Sequence, residues 1–132
     1  MSVINVVAAV IKHDSKYLCA QRTKSKFDYL SYKFEFPGGK VESNETPEEA
    51  LHREIIEELD TKIEVLSILE KVEHQYPDFS VHITFYECRI LENQFLKKID
   101  HHCLSWLLKS ELHELDWADA DIPIVKLLQK EL

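Results

Sequence analysis

The chain has 132 residues and a mass of 15.5 kDa, one domain's worth of length. Apolar residues make up 45%, enough for a packed core, so neither a disordered chain nor a disulfide-stapled miniature is called for. Sixteen Lys+Arg against 24 Asp+Glu leave a net charge of −8, which argues against sequence-independent binding to duplex nucleic acid and means that any phosphorylated ligand must be screened by something cationic. Three cysteines at scattered positions, Cys19, Cys88 and Cys103, offer no disulfide framework and no CxxC pair, which suits a reducing cytoplasm. The longest apolar run, Val6 to Ile11, is too short to cross a bilayer, and the N-terminus has neither a basic n-region nor a cleavage site. Neither a membrane nor a signal peptide is expected.

Taken in chain order, Val3 to His13 is rich in β-branched residues and predicts a strand, Asp14-Ser15 a turn, and Lys16 to Gln21 its partner strand. Thr23 to Tyr32 is polar and irregular and reads as a loop. Phe34 to Phe36 is a short strand, stopped by Pro37-Gly38-Gly39, after which a loop leads to a helix. Thr46 is a good N-cap, Pro47 suits the first helical position, and Glu49 completes a capping box. Leu51, Ile55 and Leu59 recur every four residues, so the helix should span 47–59. Ile63 to Val72, Val81 to Ile90 and Cys103 to Leu108 predict further strands. A short helical piece falls near 109–114, and a last helix starts near Asp121 with Pro123 in its first turn. With no repeat, linker or low-complexity tract, residues 1–132 read as one domain of mixed α/β class, a sheet sandwiched between helices.

The first helix carries three carboxylates on one ridge. With Glu54 at zero and about 100° per residue, Glu57 falls at about −60° and Glu58 at about +40°, and the stripe of Leu51, Ile55 and Leu59 at about 60° to 140° adjoins this acidic sector on its Glu58 side. Like charges at these spacings repel, and only Arg53 is placed to relieve Glu57 within the helix. Two readings fit: a solvated acidic face, or a site for hard divalent cations such as magnesium, which takes oxygen ligands shared between carboxylates and phosphates. In the second, bound metal reverses the local field and lets an acidic protein hold a polyphosphate.

The residues around the ridge bear on that choice. Gly39, five residues, Glu45, seven residues, then Arg53-Glu54-Ile55-Ile56-Glu57-Glu58 resembles the Nudix box, Gly-x5-Glu-x7-Arg-Glu-U-x-Glu-Glu-x-Gly-U with U aliphatic. The departures are Asp60 for the final Gly and Thr61 for the final aliphatic. That Gly is a helix C′ residue, and Asp tolerates the left-handed region better than most side chains, so the expected cost is on the order of 1 kcal/mol of stability rather than lost chemistry. The likeness continues in Ala20-Gln21-Arg22, in Phe34 to Glu42, in Tyr76-Pro77-Asp78 and in Ala120-Asp121-Ile122-Pro123, which together are similar to MutT-type nucleoside triphosphate pyrophosphohydrolases. The Ala-Asp-Ile-Pro form looks more like their CTP pyrophosphohydrolase branch.

The resemblance implies a Nudix fold, Mg2+ (or Mn2+) as cofactor, and a nucleoside triphosphate as partner, with no nucleic-acid polymer, no membrane, and a monomeric or homodimeric state. It implies that Glu54, Glu57, Glu58 and the Gly38 carbonyl hold metal, with Arg53, Glu45 and Gly39 as supports. Asp100, six residues before Trp106, would be a loop acid that binds metal or helps activate water. Arg22, Phe36, Asp78 and Asp121 would meet the nucleotide. Asp121 would read the base, favouring N–H donors because a carboxylate only accepts, or would cap the last helix; the two roles are compatible. Hydrolysis would give a monophosphate and pyrophosphate, with oxidised or modified bases (8-oxo-dGTP, CTP and dCTP derivatives) among the substrates in question. Another nucleoside diphosphate derivative, such as ADP-ribose or a dinucleoside polyphosphate, and a non-catalytic nucleotide sensor are the alternatives. His101-His102-Cys103 lacks a second ligand pair spaced for closure and does not make a zinc site by itself.

Overall fold

The structure, a computed structural model, describes residues 3–91, 101 and 103–130. Strand β1 (Val3–His13) is the central element, and its middle, Val7 to Ile11, is buried on both faces, which explains a continuous apolar run where an alternating one would mark a half-exposed strand. It pairs in parallel with β6 (Ser80–Ile90), from Val3↔Ser80 to Ile11↔Cys88. Its end turns through Asp14 and Ser15, with φ of 50° and 68°, into β2 (Lys16–Gln21); positive φ at both central residues suits the twist of a two-residue hairpin. Strand β2 pairs with β3 (Phe34–Glu35) and with β7 (Cys103–Leu108), both antiparallel. Strand β5 (Ile63–Gln75) is antiparallel to β6, giving the order β3-β2-β1-β6-β5.

Two helices cover the two faces. Helix α1 (Pro47–Leu59) buries Ala50, Leu51, Ile55 and Leu59 against Val7, Ala9 and Ile11 of β1 and Tyr86 and Cys88 of β6. Helix α2 (Ile122–Lys130) buries Ile124, Val125 and Leu128 on the opposite side, in a cluster with Ala8, Val10, Phe36 and Phe85. Alternate residues of β1 therefore feed the two cores, and the sandwich read from the sequence is the one observed.

Three boundaries differ from the sequence reading. Gly38 and Gly39 do not end the sheet: with Lys40 they form β4 (Gly38–Lys40), antiparallel to β1 with Ala8↔Gly38, Val7↔Gly39 and Val6↔Lys40. A Cβ at Gly38 would overlap the Val7 carbonyl oxygen, so the glycine is required by close strand approach rather than by a turn. Strand β5 runs on to Gln75 instead of stopping at Val72, with register shifts between Val65 and Ser67 and between Ile68 and Glu70. The last helix begins at Ile122, behind a 3₁₀ turn at Asp119–Asp121, and the piece at Lys109–Glu114 is also 3₁₀. Among the described residues no helix is long and apolar enough to cross a membrane.

Candidate active site

The geometry of α1 is set locally. Thr46 Oγ1 accepts from Glu49 N–H at 3.2 Å, Glu49 Oε1 accepts from Thr46 N–H at 2.8 Å, and Pro47 follows the cap. With the apolar stripe fixed on β1 and β6, the rotation of the helix is decided. The Glu54 and Glu58 side chains then lie at the rim of the core, 17% and 10% exposed, while Glu57 is 56% exposed.

Arg53 organises this ridge. Its Nε and Nη2 donate to Glu45 Oε2 and Oε1 at 3.0 and 2.6 Å, Nη2 also donates to the Lys40 carbonyl at 3.0 Å, and Nη1 donates to Glu54 Oε1 at 2.8 Å and Glu57 Oε2 at 3.2 Å. The fork thus joins the loop before α1 and the end of β4 to two ridge carboxylates, a bidentate geometry that lysine cannot reproduce. The Arg53 hydrogen bonds hold the Glu45 carboxyl below the usual range, and the carboxylates raise the Arg53 guanidinium further. Burial raises the Glu54 carboxyl, against the pull of Arg53. Gly39 faces Glu54: a Cβ there would collide with the Glu54 carboxylate.

Glu58 turns the other way. Its Oε1 lies 3.5 Å from Nε2 of His101, whose other neighbour is Glu35 Oε2 at 3.0 Å. Among the described residues, these three are the group of His, Cys, Asp or Glu whose ligand atoms all lie within 4.8 Å of one another. The ridge predicted as one trio is therefore divided, Glu54 and Glu57 toward Arg53, Glu58 toward His101. The sequence reading assigns Glu35 no role, and it raises His101 only as part of a His101-His102-Cys103 zinc site. A lone acid between two aromatics and a histidine beside an acid are weak signals, and the residues are 66 positions apart.

Beside the ridge opens a cavity of about 740 Å³, within the range of small-molecule sites. Arg22, Phe36, Gly38, Gly39, Asp78 and Asp121 all line it, as do Glu35, Glu58 and His101. Lys24, Lys26 and Lys40 bring further positive charge to the same walls, which the sequence reading had not noted. Arg22 Nη1 donates to Glu35 Oε1 at 3.0 Å, and its Nε is buried with no partner among the described residues. Asp78 Oδ2 accepts from the Tyr29 hydroxyl at 2.8 Å, and Tyr29 stacks on Tyr76 at 5.3 Å. Burial pushes the Tyr76 hydroxyl up to about 12 while it accepts from Ala120 N–H at 3.0 Å, tying this wall to the closing segment.

Asp121 is buried, and its Oδ2 accepts from Phe36 N–H at 2.8 Å. The carboxylate is committed to the strand edge and not to the amides of α2, so the helix-cap reading does not hold. Burial, then the nearby Glu35 charge, raises its carboxyl well above the usual range. Phe36 stacks on Trp117 with centroids 4.7 Å apart, both rings buried in the core cluster behind Asp121. Asp100 lies outside the described residues.

The donor set fits a hard divalent cation: carboxylate oxygens at the rim of the core, with a glycine backbone close enough that a side chain would fill the space beside Glu54. Residues 6–127 match the NUDIX domain family. An 8-oxo-dGTP diphosphatase of Proteus vulgaris is 34% identical over 97 residues, 72% of this chain and 84% of its own length. A CTP pyrophosphohydrolase of Escherichia coli K12 is 32% identical over 126 residues, 96% of this chain and 91% of its own. In solved structures, the DNA mismatch repair protein MutT (family Nudix hydrolase) from methicillin-resistant Staphylococcus aureus 252 superposes over the whole of both chains, with a TM-score of 0.77 and 42% identity.

Proposed function

Since the chain belongs to the NUDIX domain family, we propose that it is a divalent-cation-dependent hydrolase that splits nucleoside triphosphates into the monophosphate and pyrophosphate. The observation that carries this reading is a cavity lined by Glu58 of α1 and by Gly39, which abuts Glu54, and on its other walls by Arg22, Lys24, Lys26 and Lys40. An acidic ridge alone would repel a triphosphate; an acidic ridge that holds magnesium, facing lysines and an arginine, would clamp it.

Glu54, Glu57 and Glu58 would hold Mg2+, with the Gly38 carbonyl at the edge of the same space. The metal supplies charge neutralisation and Lewis-acid polarisation at phosphorus. The chain's own groups do the rest. Arg53 keeps Glu54 and Glu57 turned toward one another by donating to both from Nη1. Arg22, which lines the cavity with a side chain 36% exposed, binds a phosphate oxygen. Glu57, the most exposed of the three, accepts the proton of the attacking water, a role that Asp100 could share. Asp121 hydrogen-bonds the edge of the base, with Phe36 packed behind it in the cavity wall.

The relatives divide between 8-oxo-dGTP and CTP, and Asp121 bears on that choice. As a carboxylate it accepts from a cytosine amino group or from guanine N–H; protonated, as its burial favours, it also donates to a purine or pyrimidine oxygen. The test is product analysis on canonical and damaged (d)NTPs, including 8-oxo-dGTP, 5-methyl-dCTP and 5-hydroxy-CTP, with and without Mg2+. Magnesium-dependent release of monophosphate and pyrophosphate supports the reading. Tight nucleotide binding with no product would instead favour a sensor.

A further inference from the structure

His101 is 3% exposed in its side chain, and Nε2 sits between two carboxylates, 3.0 Å from Glu35 Oε2 and 3.5 Å from Glu58 Oε1. The other ring nitrogen, Nδ1, is buried and has no hydrogen-bond partner among the described residues. That asymmetry separates two roles. As a metal ligand, Nε2 must be bare, which puts the ring proton on Nδ1; ligating histidines almost always donate that proton to an acceptor, and here no described residue offers one. As a donor, Nε2–H reaches the carboxylates and Nδ1 is left with a lone pair only, which is cheaper to bury than an unsatisfied N–H. The geometry points to the donor.

We propose that His101 is a positioning residue whose Nε2–H donates to Glu35 and, from 3.5 Å, draws the Glu58 carboxylate toward it, fixing Glu58 at the metal site and joining it to the nucleotide cavity. The line continues, since Glu35 also accepts from Arg22 Nη1 at 3.0 Å. Arg22, Glu35 and His101 are thus hydrogen-bonded in line, with Glu58 in ion-pair range of His101 at 3.5 Å, and nucleotide held at Arg22 bears on the orientation of Glu58. This rests on the proposed metal role of Glu58.

The experiment measures Mn2+ dissociation constants by electron paramagnetic resonance for the parent, His101→Gln and His101→Asn. A Gln amide places its N–H near the position of Nε2, whereas the Asn amide, one methylene shorter, falls short of Glu58. His101→Gln should bind Mn2+ within about threefold of the parent, and His101→Asn about tenfold more weakly, the scale of losing a partner that orients a ligand. Equal affinities in all three proteins overturn the positioning role, and equal losses in both variants overturn it in favour of a ligand role. A parent that binds no Mn2+ overturns the metal reading beneath it. Should His101→Asn fail to fold, the tautomer decides: long-range 1H–15N spectra of the unmodified, metal-free protein should show a proton on Nε2, and a bare Nε2 overturns the proposal.

Discussion

Arg53 spends its donors on Glu45, Glu54, Glu57 and the Lys40 carbonyl, so one cation fixes the directions of three anions. Such a support leaves the chemistry to a residue that can be altered without loss of fold. Glu57 is that residue, 56% exposed on the surface of α1 and on the side away from the apolar stripe. Glu57→Gln should shift stability by no more than roughly 0.5 kcal/mol and reduce kcat about 10²–10⁴-fold, as expected for loss of a general base or metal ligand. A thermal melt and a rate assay check both halves; parent-like turnover contradicts the assignment. Asp121 has the opposite character, buried and raised in pKa chiefly by that burial. The folded state then binds a proton that the unfolded state has released, so stability falls as pH rises from the ordinary carboxylate range toward the raised folded value. Asp121→Asn keeps an oxygen for the Phe36 N–H and removes this titration. Relative to the parent it should therefore be more stable at pH 7 than at pH 4, as read from denaturant unfolding at the two values; a stability difference that does not change with pH contradicts the account.

Helix α1 owes its position to signals at both ends. Its start is a complete capping box, but its end departs from the family pattern, with Asp60 at φ 51°, ψ 43° and no basic residue in the last turn. A carboxylate beside the negative end of the helix dipole and a Cβ in the left-handed region both cost stability. Asp60→Gly should gain about 1 kcal/mol and raise Tm by about 4 °C, with kcat unchanged, because Asp60 follows the last helical residue and is not among the proposed metal ligands. A loss of stability, or a changed rate at parent-like stability, would show that Asp60 does more than end the helix. The capping box, the stripe and the acidic ridge were legible in the sequence because they are local: each needs only residues within a turn or two. The behaviour of Gly38 and Gly39 was not. Two adjacent glycines after a proline read as a stop, and only the approach of β1 on one side and of Glu54 on the other turns them into a strand.

At the scale of the whole molecule, the sheet brings the site together. The parallel pairing of β1 with β6 and the hairpin into β2 place β3 and β4, the two short strands on either side of Pro37, between α1 and the closing segment. Glu35 and Phe36 thereby face Arg22, His101 and Asp121, residues drawn from across the chain. The fold class and the ridge acids could be read from periodicity and spacing, and Arg22, Phe36, Asp78 and Asp121, which line the cavity, from a resemblance of short motifs. The Glu35–His101–Glu58 contact could not, since strand pairing over that separation leaves no periodic trace. The proposed function places a divalent ion at the acidic helix and a triphosphate between it and the basic walls of the cavity. The direct test is a titration with Mn2+ and a non-hydrolysable nucleoside triphosphate, followed by NMR of 13C-labelled carboxyl groups. The account predicts selective paramagnetic broadening at Glu54, Glu57 and Glu58, strengthened by the nucleotide. Sharp, unshifted signals from all three would contradict it.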